Sequence, residues 1–257
     1  MFRCCWSMSE SRFRAVLFDL FDTLVLFREF KDRDDYPSYL VDMHGALVSR
    51  GVSVPFEAFR DTYWAVRNEV VERSQRTLEE PHFSLRVYLT LQKLGVNVQK
   101  QEDPIVADVV KAFSEEFKRR AYPDPEAKSV LKQLHKTYKL GLVSNFSVPE
   151  CGHDLLEQYG FKQYMDAVVI SGDVNRRKPH PEIYKIALRA LGVEASETVF
   201  VGDSLDRDIS GPQNVGMKAI LLKRAPIPED NTVEPDAVVE SLSELPKAIA
   251  ALEHSKK

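Results

Sequence analysis

Short apolar runs recur along this chain at Ala15–Phe18, Leu140–Val143, Ala167–Ile170, Thr198–Val201 and Ala219–Leu222, with a weaker one at Ala237–Val239. Each is too short for a helix and lacks polar alternation, as a strand buried on both faces would read. Between most of them lie patterns of helical period, at Pro125–Leu134, Asp154–Tyr159, Pro181–Leu191 and Asp206–Val215. Strand and helix in alternation imply an α/β fold: a doubly wound parallel sheet with helices on both faces. In such a sheet the carboxyl ends of the strands form the edge where ligands bind.

One stretch breaks the alternation. From Arg28 to Ala121 no strand-like run occurs, and amphipathic helices are expected at about Tyr36–Arg50, Pro55–Arg76, Pro81–Leu94 and Asp103–Arg119. Gly51, Gly95 and Pro123 punctuate the stretch. Coming straight after the first strand, it reads as an inserted all-helical cap domain hinged on two linkers. The expected division is 1–27 with 122–257 for the α/β core and 28–121 for the cap. Phe59, Tyr63, Trp64 and Tyr88, at helical spacings, are assigned to the core of that bundle.

Composition narrows the function classes. Among 257 residues the net charge is −4, which gives no electrostatic reason to bind nucleic acid. No apolar run approaches the roughly 20 residues needed to span a bilayer, so no membrane segment is expected. The N-terminus lacks the apolar core of a signal peptide, and Met8 is a candidate start. Three cysteines, Cys4, Cys5 and Cys151, have no regular spacing, which fits a reducing, cytoplasmic setting rather than a disulfide framework. Cys151 and His153 lack a second pair to complete a metal site. Both a monomer and a homodimer are compatible with the sequence.

Four polar motifs follow four of the strand runs. They are Asp19-Leu20-Phe21-Asp22-Thr23-Leu24, Ser144-Asn145, Lys178-Pro179-His180-Pro181, and Gly202-Asp203-Ser204-Leu205-Asp206-Arg207-Asp208 with Gly211 beyond. Singly each is weak, since an Asp at a strand end is usually a turn former or helix cap. As an ordered set, from Asp19 to Met217, they resemble the motifs of the haloacid dehalogenase (HAD) superfamily of hydrolases. The resemblance implies a Rossmann-like core with a helical cap. It makes Asp19 a nucleophile, oriented by Thr23 and held by Lys178 as a point charge. It makes Ser144 and Asn145 donors to a phosphoryl oxygen. A Mg²⁺ ion would be held by Asp19, the backbone carbonyl of Phe21 and Asp203, with Asp208 as a further ligand or a support for one. His180 reads as a turn residue and Asp206 as a cap or solvated charge.

Phe21 departs from the pattern. Superfamily phosphatases keep there a second Asp that protonates the leaving group and then activates water. The 2-haloacid dehalogenases also lack that Asp and work without a metal. They are resembled further by Tyr184, six residues after Lys178, by Ser144-Asn145, and by Phe59-Arg60 in the cap, an aromatic–Arg pair that makes Arg60 a substrate-binding candidate beside Arg67, Arg73 and Arg76. Against this, dehalogenases carry Ser and Asn where this chain has Asp203 and Leu205. The expected function is therefore a Mg²⁺-dependent phosphatase for a small phosphorylated metabolite. The alternatives are a metal-independent dehalogenase of halogenated acids, a catalytically impaired binding protein, or a phosphonate hydrolase with a cap lysine.

Overall fold

A computed structural model describes residues 12–28, 38–228 and 230–254. Cys4, Cys5 and Met8 lie outside them. In chain order the regular elements are β1 (Ala15–Phe18), β2 (Val25–Phe27), α1 (Ser38–Ser49), α2 (Phe56–Thr77), α3 (Ser84–Lys93), α4 (Pro104–Arg120), β3 (Ala121–Pro123), α5 (Ala127–Leu134), β4 (Lys139–Ser144), α6 (Pro149–Gln158), β5 (Ala167–Ile170), α7 (Ser171–Val174), α8 (Pro181–Leu191), β6 (Thr198–Gly202), α9 (Gly211–Gln213), β7 (Lys218–Leu222), β8 (Ala237–Val239) and α10 (Leu245–His254).

Six strands form one parallel sheet in the order β5-β4-β1-β6-β7-β8. The chain builds outward from β1 in one direction and then returns to its other side, so the strand order reverses there. That switch opens a crevice at the carboxyl end of β1, between β4 and β6. β1 is buried along its whole length. Val16 and Phe18 join the apolar layer that includes α5, α6 and α10, whereas Ala15 and Leu17 join the layer under α8. Burial on both faces is why the strand runs read as unbroken hydrophobic stretches.

Helices α1–α4 lie between β2 and β3 in the chain. The two short strands pair antiparallel, with Leu26 opposite Tyr122 and Phe27 opposite Ala121. This ribbon was not expected, because three residues carry no readable period. α6 begins at Pro149 rather than Asp154, with proline in its first turn, where the missing N–H costs nothing. The expected helix at Asp206–Val215 is a wide π-type segment, Leu205–Ser210, continuing into α9. Phe59 and Tyr63 are buried in the bundle, with Trp64 and Tyr88 half-buried against it. No helix among the described residues is long and apolar enough to cross a membrane.

Candidate active site

Asp19 stands one residue past β1, where its backbone N–H donates to the carbonyl of Val201 at 2.9 Å. Lys178 arrives from the loop after α7 and is almost wholly buried. Its Nζ donates to Asp19 Oδ1 and to Asp208 Oδ1, both at 2.6 Å. The other Asp208 oxygen accepts from the Ser204 N–H at 3.0 Å. Asp208 reaches the sheet edge only because residue 202 is glycine: a Cβ there would lie 2.5 Å from the Asp208 side chain. Gly211 likewise leaves room for the Tyr184 hydroxyl, which a Cβ would meet at 2.1 Å. That hydroxyl donates to the Arg207 carbonyl and so props the segment carrying Asp208.

Carboxylate oxygens of Asp19, Asp203 and Asp208 come within 4.8 Å of one another. They line a small cavity of about 90 Å³ together with Phe21, Asp22, Ser144, Asn145, Lys178 and Arg207. Burial, then the charges of Asp208 and Asp203, drive the Asp19 carboxyl above its ordinary range, against the pull of Lys178. Asp203 is pushed up to about 6 by burial, Asp208 and Asp22. Burial would lower the Lys178 ammonium, but Asp19 and Asp208 outweigh it and hold it charged. The cluster is thus over-supplied with negative charge, and hard oxygen donors in this number fit a small divalent cation such as Mg²⁺.

The remaining expected site residues divide. The Asn145 side chain clamps the backbone of Lys178: Nδ2 donates to the Lys178 carbonyl at 2.9 Å, and Oδ1 accepts from the Lys178 N–H at 2.7 Å. It therefore positions the lysine. Ser144 lines the cavity, and its Oγ is buried with no hydrogen-bond partner among the described residues. Thr23 Oγ1 is also buried without a hydrogen-bond partner among the described residues. Arg60 is not brought to the cavity. Its Nε pairs with Asp61 at 2.8 Å, and Phe59 packs into the bundle against His44 and Tyr63. Arg67 stacks on Trp64, while Arg73 and Arg76 face Glu79 and Glu72. His180 caps α8, accepting from the Glu182 N–H, and Asp206 is exposed. His153 pairs with Asp173, and Cys151 is buried as a free thiol.

Phe21 lines the cavity as one ring of an aromatic cluster. Its centroid lies 5.4 Å from Phe27, 5.3 Å from Phe117 and 4.9 Å from Phe146. A carboxylate could not occupy this position without replacing those contacts.

Sequence reasoning missed several residues. Arg207 lines the cavity. Arg224 holds the turn after β1, donating to the carbonyls of Asp22 and Thr23 and to Asp124. The segment joining α2 to α3 straps onto the core: Arg177 N–H donates to the Leu78 carbonyl at 3.0 Å, and Phe83 N–H to the Ser147 carbonyl at 2.8 Å. Buried Glu80 in this strap lies 3.5 Å from Arg177, the residue before Lys178. Arg224 and the strap had no local signal, because their partners are remote in sequence, whereas Arg207 lies within the fourth motif and donates to Ser204 Oγ at 3.0 Å. A larger cavity of about 550 Å³, bordered by α4 and α6, shares no residue with the one at Asp19, and several of its charges are paired, His82 with Glu150 and Lys118 with Asp154.

The sequence of residues 13–216 matches the haloacid dehalogenase-like hydrolase family. The chain belongs to this family and is a hydrolase. Glyceraldehyde 3-phosphate phosphatase of Methanopyrus kandleri is 29% identical over 82% of this chain and 84% of its own length. Phosphoserine phosphatase of Thermus thermophilus is 34% identical over 54% of this chain, and the match spans about half of that relative, 55%. Among solved structures, a 2-haloacid dehalogenase from Pseudomonas syringae superposes with a TM-score of 0.69 at 25% identity, covering 93% of this chain and 99% of the other. A HAD phosphatase from Thermococcus onnurineus gives 0.62 at 25% identity, covering 91% and 96%.

Proposed function

We propose that this hydrolase is a Mg²⁺-dependent phosphatase of a small phosphorylated metabolite, with Asp19 as nucleophile. The observation that carries the reading is the acid cluster. Three carboxylates face one buried ammonium, and a phosphate monoester would bring further negative charge. A metal-free displacement of halide gives Asp203 no task; a bound Mg²⁺ would neutralise the charge between Asp19 and the phosphoryl oxygens. Asp19, Asp203 and Asp208, with the Phe21 carbonyl, are the residues proposed to hold it. Similarity to named phosphatases supports the same reading.

In this account Lys178 fixes the attacking oxygen of Asp19 and shields it from Asp208. Ser144 donates its uncommitted hydroxyl to a phosphoryl oxygen. Attack by Asp19 on phosphorus expels the leaving-group oxygen and forms an aspartyl-phosphate, which water then hydrolyses. Helices α1–α4 are proposed to act as a cap that excludes bulk water during the first step. With Phe21 in place of a carboxylic acid, no side chain at that position can protonate the leaving group. The enzyme therefore favours esters whose leaving groups depart as stable anions.

Phe21 and the likeness to a solved dehalogenase favour the second reading, a 2-haloacid dehalogenase. Phosphate release from a panel of monoesters with Mg²⁺, abolished by Asp19→Asn, supports the phosphatase. Chloride release from 2-chloropropionate in EDTA without any phosphate release sinks it. Neither activity leaves the binding-protein alternative.

A further inference from the structure

The cavity at Asp19 holds about 90 Å³, space for roughly three water molecules. It can take a phosphoryl group but not the rest of an ester. Next to it lies a cleft of about 270 Å³. The two share Asp22, and Phe21, in the wall of the first, packs against Phe27 and Phe117 in the wall of the second. Four rings line the cleft: Phe27 from β2, Tyr39 from α1, and Phe113 and Phe117 from α4. Tyr39 meets Phe113 edge-on at 5.3 Å, and Phe27 meets Phe117 at 4.8 Å.

The charged end of the cleft is already engaged. Glu116 accepts from Ser38, from Arg119 Nε at 2.9 Å and from Arg120 Nε at 2.7 Å, and Arg120 also donates to Ser38. An anionic leaving group, such as one bearing its own carboxylate, would meet a guanidinium already committed to Glu116. A flat apolar group would meet four ring faces and edges, the surroundings that favour aromatic packing.

We infer that this cleft is the leaving-group subsite and that it selects aryl phosphates over those of polar alcohols. The inference rests on the phosphatase reading and narrows it. It agrees with the chemistry imposed by Phe21, since a phenolate departs without the proton that an alkoxide needs. The two observations are independent: one concerns the missing acid and the other the shape and lining of the neighbouring space.

The test uses the full chain in Mg²⁺ buffer. Phosphate release from acetyl phosphate, which places almost nothing in the cleft, reports on the phosphatase reading alone. Binding of 2-naphthyl phosphate and of glycerol phosphate to the Asp19→Asn variant is then measured by calorimetry. We expect the naphthyl ester to bind about tenfold or more tightly, from burial of its rings. In the otherwise native enzyme, Phe113→Ala is expected to raise KM for 2-naphthyl phosphate about tenfold relative to its effect on acetyl phosphate. Tyr39→Leu gives a second variant in case loss of the Phe113 ring, which also stacks on Phe83 at 4.3 Å, unfolds the bundle. Equal affinity for the two esters, with acetyl phosphate hydrolysed, overturns the subsite and leaves the phosphatase standing. No phosphate release from any ester overturns both.

Discussion

The floor and the wall of the site differ in kind. The floor is polar and interlocked: Asp19, Asp208 and Lys178 are bonded at 2.6 Å, and Asp203 stands beside them. The wall is aromatic: Phe21 joins Phe27, Phe117 and Phe146 where a phosphatase of this superfamily would keep a carboxylic acid. The floor is built for charge, the wall for shape. In the proposed phosphatase this floor would stabilise a phosphoryl transition state, and the ring at position 21 could not protonate what leaves. On that proposal the two catalytic duties of such a site are separable, with the second shifted onto the chemistry of the substrate.

The comparison breaks first at Asp19. Asp19→Asn should reduce phosphate release by on the order of 10⁴–10⁶-fold in a steady-state assay, as removal of a nucleophile does. A residual rate within tenfold of the native one would remove Asp19 from its role.

Lys178→Met probes the floor's internal balance. It should lower kcat by roughly 10²–10³-fold. It also leaves two buried carboxylates facing each other, at a cost of about 3–5 kcal/mol to metal-free stability in urea titration. Unchanged stability would mean that the triangle is not the structural unit described.

Phe21→Asp sharpens the contrast between wall and floor. Restoring a carboxylic acid should raise hydrolysis of alkyl phosphates about tenfold and of aryl phosphates less, well under the full general-acid range. A dehalogenase, whose substrate would pack on this ring, should instead lose activity. A folded variant with no selective gain would show that the aromatic wall is not the limiting feature.

The smallest effect concerns the metal. Asp203 rises from its ordinary 3.8 to about 6. A carboxyl raised on folding contributes stability below its unfolded value, and that contribution is lost as pH rises through the folded one. Metal-free protein should therefore lose stability between about pH 4 and 6 from this group. Millimolar Mg²⁺ should raise Tm by about 2–5 °C at pH 7.5 and by less at pH 5.5, where protons compete. Asp203→Asn should remove the shift, and an equal shift in that variant would exclude Asp203 as a ligand.

What the sequence revealed follows from locality. β1 was legible because four adjacent residues are buried on both faces, and the motifs at Asp19, Ser144 and Asp203 because they sit at the ends of β1, β4 and β6, whereas Lys178 comes from the loop beyond α7. β2 and β3 were not, since a three-residue strand is defined by its partner. Arg60 was drawn toward the site by resemblance, yet helix α2 points Phe59 into the bundle and leaves its neighbour with Asp61. The side-chain clamp of Asn145 on Lys178 spans 33 residues and the hold of Arg224 on the turn after β1 about two hundred, so neither leaves a trace in local pattern.

The most direct measurement offers the native enzyme two substrates under opposed conditions. With an aryl phosphate and millimolar Mg²⁺, the account predicts phosphate release that EDTA abolishes and Mg²⁺ restores. With 2-chloropropionate in EDTA it predicts no chloride. Chloride release in EDTA, without phosphate release in Mg²⁺, would contradict the assignment of the acid floor to phosphoryl transfer.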